Sequence, residues 1–190
     1  MPTMTLTRTG AATIVAVGIG LSLGGPTRAA AAGHDHDHDD DKAASCPMHG
    51  HAAAVKSRGQ EGMGFDQDRT QHHFRLLADG GAIEVSVTDP GDTESRATVQ
   101  HHLAAIATAF AAGDFQLPMF IHAQTPPGVR TLRRLKARIT YAYEETPAGG
   151  QVRIVTKDSQ ALGAVHAFLR FQIADHRTGD STTVPGSSRR

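Results

Sequence analysis

The 190-residue chain balances 19 lysines and arginines against 19 acidic residues, and holds twelve histidines, one cysteine and no tryptophan. A balance without a basic excess lacks the electrostatic footprint of nucleic-acid binding. A single cysteine excludes an intrachain disulfide in any compartment.

The N-terminus has the order of a secretory leader. Arg8 supplies a short positive region, Ala11 to Leu23 form an apolar run, Gly24-Gly25-Pro26 ends it, and Ala29 to Ala32 offer small residues for cleavage. The run is too short for a comfortable membrane span. Residues 1–31 are therefore expected to be a signal peptide removed on export to the periplasm or the exterior, leaving no membrane span. Losing Arg8 and Arg28 leaves 17 basic against 19 acidic side chains. Cleavage before Ala32 would start the chain Ala32-Gly33-His34. Its amine, two backbone amides and imidazole form a square-planar nitrogen set that suits Cu(II) or Ni(II).

Residues 32–61 follow as an expected disordered arm. His34-Asp-His36-Asp-His38-Asp-Asp-Asp41 precedes Cys46-Pro-Met48-His49-Gly-His51, which gathers five of the histidines and the cysteine. Thiolate, thioether and imidazole are soft or borderline donors that select copper or zinc over magnesium and calcium. The expected ligands are His34, His36, His38, Cys46, Met48, His49 and His51, with copper the first metal and zinc or nickel the alternatives. The other reading of the His-Asp alternation is a solvated acidic tail. As a partner beyond the metal ion, the arm suggests another periplasmic metal-handling protein.

Cys46-Pro-Met-His49 resembles the short heavy-metal-binding segments attached to bacterial copper-export ATPases and copper efflux adaptors. The resemblance implies Cys46, Met48 and His49 as ligands and Pro47 as a stiffener. Further along, Met63-Gly-Phe65, His72-His-Phe74, Gly80-Gly81, Pro126-Pro-Gly128 and His176-Arg-Thr-Gly-Asp180 are similar to a group of uncharacterised exported bacterial proteins. That likeness implies export and family membership, and no mechanism.

All nine aromatics lie between Phe65 and Phe171, so the folded domain is expected over 62–180, with 181–190 a disordered tail. Phe74 to Val87 reads as two strands around Gly80-Gly81, with Ile83, Val85 and Val87 on one face. Ile139 to Tyr143 and Val152 to Thr156, around Gly149-Gly150, repeat the pattern, with Asp89 and Asp158 in equivalent places. Each hairpin leads into a helix. Thr93 to Ala112 should bury Val99, Leu103, Ile106 and Phe110; Ser159 to His176 should bury Leu162, Val165, Leu169 and Ile173. Leu117 to Val129 reads as a proline-rich loop and Arg130 to Lys136 as a short basic helix. The fold class is α+β: a two-layer ββα-ββα pseudo-repeat, a four-stranded sheet with two helices on one face.

Within the domain, His72 shares a strand face with Phe74 and Leu76, and His73 the opposite one with Arg75. Met119-Phe-Ile-His122 repeats the arm's thioether and imidazole on a loop. Met119, His122, His72 and His73 are thus secondary metal candidates, with Asp66 and Asp68 as nearby carboxylates. His101, His102, His166 and His176 lie on or beside helix stripes, where hydrogen-bonded boundary histidines are common. There is no His-Glu-x-x-His, Gly-x-Ser-x-Gly, P-loop or Cys-x-x-Cys. An exported binder of copper-like metal, for sequestration, delivery or resistance and without turnover, is the leading expectation. The alternatives are a ligand- or protein-binding module using the open polar sheet face, and a metal-dependent hydrolase built on the domain histidines.

Overall fold

The computed structural model describes residues 47–186, with side chains from Gly50 onward. Five helices and four strands run α1 (Pro47–Met63), β1 (Thr70–Leu77), β2 (Gly80–Val87), α2 (Thr93–Ala112), α3 (Gln116–His122), α4 (Val129–Arg134), β3 (Ile139–Thr146), β4 (Gly149–Thr156) and α5 (Ser159–His176). The architecture is α+β. Two ββα units build one antiparallel sheet in the order β1-β2-β4-β3, and α2 and α5 pack on the same face of it.

Alternation along the strands makes that face. Phe74 and Leu76 of β1, Ile83 and Val85 of β2, Val152 and Ile154 of β4, and Ile139 and Tyr141 of β3 are all buried. Against them α2 sets Val99, Leu103, Ile106 and Phe110, as its 3.6-residue period requires. Helix α5 uses Ala161, Val165, Phe168, Leu169 and Ile173, while Leu162 is only half-buried. The caps fix where each helix begins and ends. Asp92 accepts from the Ser95 amide and Asp158 from those of Gln160 and Ala161, each worth about 1 kcal/mol. Gly113 closes α2 in the left-handed region at φ 80°. Asp89, the sequence counterpart of Asp158, instead accepts from the Gly91 amide in a turn, because α2 starts at Thr93.

The glycine pairs are not the turns. Ala78-Asp79 and Pro147-Ala148 turn the chain, and each Gly-Gly begins the following strand. A Cβ on Gly80 would meet the Ile154 carbonyl oxygen at 1.9 Å, and one on Gly149 the Val85 oxygen at 2.1 Å. These glycines let β2 and β4 lie side by side. Ile83 and Val152, which hold the same place in the two repeats, are direct partners across that pair. The sheet therefore has a local twofold relation between its halves.

Two segments depart from the sequence expectation. The stretch from Pro47 through Glu61, expected to be disordered, is most of α1, and its Val55 is 3 % exposed within the core. Its inner face is Ala52, Val55, Gly59, Gly62 and Met63, and a Cβ on Gly62 would lie 2.6 Å from Leu117 of α3. Close approach of small residues replaces a bulky stripe. Arg58 Nε donates to the Ile121 carbonyl at 2.7 Å and Gln67 Nε2 to that of Lys56 at 2.6 Å, which fixes the helix on α3 and on the turn before β1. The second departure is α3, which occupies the start of the expected proline-rich loop. Pro118 is its third residue, where a missing amide donor costs nothing. Among the described residues no single helix is long and apolar enough to cross a membrane.

Candidate functional site

Four histidines from four elements converge on one cavity of about 60 Å³ between the sheet and the helices. His72 comes from β1, His102 from α2, His122 from α3 and His176 from the last turn of α5. Phe74, Ile83, Val85, Leu103, Phe110 and Phe168 are among the apolar walls, and Met63 brings a thioether from the end of α1. Among the described residues no lysine, arginine or carboxylate lines it.

The rings touch one another. His72 and His176 lie nearly parallel, 7° apart with centroids 5.8 Å from each other. His122 meets His176 edge-on at 5.0 Å, and Phe65 meets both His72 and His102. Burial pushes the His72 imidazole down to about 3, helped by the neighbouring His176, His102 and His73. Burial likewise takes His102 down to about 4, with His101 adding to it. His176 also falls to about 4, through burial and then His122, against the opposing pull of Asp175. All three stay neutral at physiological pH, with a nitrogen lone pair free of protons. The Nε2 atoms of His72 and of Gln172 are buried and have no hydrogen-bond partner among the described residues.

A polar chain runs from this cavity to the surface. His122, 1 % exposed at its side chain, donates from Nδ1 to Asp175 Oδ2, and its Nε2 lies 3.0 Å from Gln172 Oε1. The other oxygen of Asp175 accepts from His51 Nε2 at 2.8 Å. Burial pushes the Asp175 carboxyl up, but hydrogen bonds from His51 and His122 outweigh it and hold it below the usual carboxylate range. The last histidine of the arm is thus bonded to a carboxylate that also holds a cavity histidine.

The sequence candidates fall into separate groups. His34, His36, His38 and Cys46, with the whole leader, lie outside the described residues. Met48 and His49 are in the first turn of α1, their side chains outside the description. His51 is described and bonded to Asp175. His72 and His122 meet at the cavity, which sequence reasoning did not pair. His73 points the other way and donates from Nδ1 to Asp180 at 2.8 Å. Met119 lines a different groove, with Pro126, Pro127 and Arg130. Asp66 caps the turn after α1, while Asp68 pairs with Lys56 and lines an open groove together with His72, His73, Asp175 and His176. His166 bridges the Leu77 and Gly80 carbonyls at 2.9 and 3.0 Å, a structural role. His102 and His176 are the cavity members read as boundary residues, and Gln172 was not singled out in the sequence. The available signal was that each of the two histidines flanks the apolar stripe of its helix.

Among the described residues no three His, Cys, Asp or Glu side chains already stand where one metal ion could bind them all. No protein-family model, curated protein or solved structure matches the chain.

Proposed function

We propose that this chain is an exported metal-binding protein that takes copper through Cys46, Met48, His49 and His51, for sequestration, delivery or resistance. The observation carrying this reading is that four soft or borderline donors fall within the six residues from Cys46 to His51, the last three of them in the first turns of a helix anchored on the domain. Val55, Met63 and the Arg58 bond to Ile121 fasten α1, so the donors enter a helix with a fixed place on the protein. Thiolate with thioether favours Cu(I) over zinc. The more distal His34, His36 and His38 extend the same donor supply, and delivery would run to another periplasmic metal-handling protein.

Competition against a chromogenic Cu(I) chelator tests this on the mature chain. Cys46→Ser should weaken Cu(I) binding at the arm by at least tenfold and leave zinc binding less affected. An unchanged Cu(I) affinity in the serine variant would overturn the assignment.

A further inference from the structure

We infer that the β3 edge of the sheet binds a second copy of this chain, strand against strand about a twofold axis at Tyr141, so that two four-stranded sheets become one of eight. The surface holds no residue of the metal arm, so it stands or falls apart from the copper reading.

The two outer strands, β1 and β3, are finished differently. On β1 the Phe74 amide donates to Asp180 Oδ2 at 2.9 Å, so the segment after α5 closes that edge. Strand β3 pairs with β4 alone among the described residues. Its register is continuous over eight residues without a bulge, and Ile139 to Tyr143 hold no proline and no charge. Bulges, prolines and charges are the usual means of blunting an exposed edge. The two-residue turn Pro147-Ala148 is closed by the pair Thr146 and Gly149, so the even-numbered residues of β3 are those hydrogen-bonded to β4. The Thr156 amide fixes the same phase, since it donates away from β3, to the Asp79 carbonyl. The amides of Tyr141 and Tyr143 and the carbonyls of Ile139, Tyr141 and Tyr143 therefore point out of the edge. The Ile139 amide is taken by the Lys136 carbonyl.

An antiparallel second copy fits this edge in one register. With the axis at Tyr141, each helix-covered face continues into the other, as a twofold requires. Tyr141 then opposes its own counterpart, Ile139 opposes Tyr143, and exposed Arg138 stands across from exposed Glu144 at both ends. Opposite charges placed directly across strands are favourable. Arg138 gives one nitrogen to Asp158 at 2.8 Å and is 67 % exposed at its side chain, and Glu144 accepts from Gln151 through one oxygen. Moving the axis to Ala142 would set Ile139 against Glu145 instead. The helices fit as well. Helix α2 packs over β3 and β4. With strands about 4.8 Å apart, α2 and its mate would lie about 10 Å apart, the spacing of packed helices. The α2 flank on that side is marked by Gln100, which donates to Glu145 at 3.1 Å. Ala104, Ala107 and Ala111 share an arc of about 60° with Gln100, and their small side chains suit such an approach.

The test is sedimentation equilibrium of the mature chain with a chelator and a reductant, so that neither arm-bound metal nor Cys46 can join two copies. A reversible dimer is expected at micromolar concentration. Arg138→Glu and Glu144→Arg should each weaken it about tenfold, because each side chain counts twice across the axis, and the double variant should restore it. Hydrogen exchange at the Tyr141 and Tyr143 amides should slow as the natural chain is concentrated. That measurement needs no substitution, so it decides the matter even if Arg138→Glu fails to fold. A chain that stays monomeric to millimolar concentration would overturn the proposal. So would a dimer whose Tyr141 and Tyr143 amides exchange at the monomer rate, or one indifferent to both charge reversals.

Discussion

Asp175 shows how much a single side chain joins. One carboxylate on α5 accepts from His51 of α1 and from His122 of α3, with only 12 % of its side chain exposed. The two bonds are not equal. His51 is 46 % exposed at its side chain, and an exposed pair of that kind contributes about 0.2–1 kcal/mol. His122 is 1 % exposed, and leaving a buried partner badly satisfied costs about 1–3 kcal/mol. Asp175→Asn should therefore lower the urea unfolding free energy by about 1–3 kcal/mol, and His51→Ala by less than about 1. Equal losses in the two variants would contradict this ranking. The cavity itself was hard to see in the sequence. Its four histidines come from four separate elements, and only the packing of α3 under α1 brings His122 to the others. His72 was legible as core-facing because strand alternation alone puts it beside Phe74.

The glycines separate what an element needs from what it tolerates. Gly80 and Gly149 sit where a neighbouring strand's carbonyl oxygen would meet a Cβ at 1.9 and 2.1 Å. Gly163, inside α5, has nothing within 4 Å of where its Cβ would be. Gly163→Ala should stabilise by about 0.4–1 kcal/mol, through helix propensity and a less flexible unfolded chain. Gly80→Ala and Gly149→Ala should each lower the melting temperature markedly or prevent folding, because the obstacle is backbone. Thermal melts of the three variants check this, and a neutral Gly149→Ala would refute the close-approach argument. Sheet and long helices were legible because strands of period two and helices of period 3.6 left bulky apolar residues in phase. Helix α1 was not. Its inner face of alanine, one valine and two glycines reads as a flexible linker until Leu117 and Gln67 are seen filling the space those glycines leave. Helix α3 was hidden by Pro118, which marks a loop unless it falls in a first turn.

At the scale of the whole molecule the buried imidazoles tie stability to pH. His72, His102 and His176 have folded values of about 3, 4 and 4, against an unfolded value near 6.5. The unfolded chain then binds more protons, so stability falls as pH drops below about 6.5 and levels off near the folded values. At one pH unit per 1.36 kcal/mol, each ring costs up to about 2 kcal/mol at pH 5, less for partial exposure and mutual coupling. Metal-free protein should therefore lose melting temperature steadily between pH 6.5 and pH 4. Asp175 and Asp180, whose folded values lie below the ordinary carboxylate range, lose their contribution only below about pH 4. The two windows are distinct. A melting profile that stays flat from pH 6.5 to 4.5 would show that these imidazoles accept protons in place.

The twofold relation of the sheet is not honoured by its contents. Tyr141 of β3 stands where His72 stands on β1, since each is in register with matching residues, Ile154 and Val85. Around Tyr141 the space is filled by Phe110 edge-on at 5.7 Å, itself stacked on Phe115 at 4.3 Å. Around His72 it is left hollow and lined with lone pairs. A duplicated scaffold thus has a division of labour: one end is a solid keel of aromatic rings, and the other is an unfilled chamber. Changes to the chamber can alter its chemistry while the keel keeps the frame in trim.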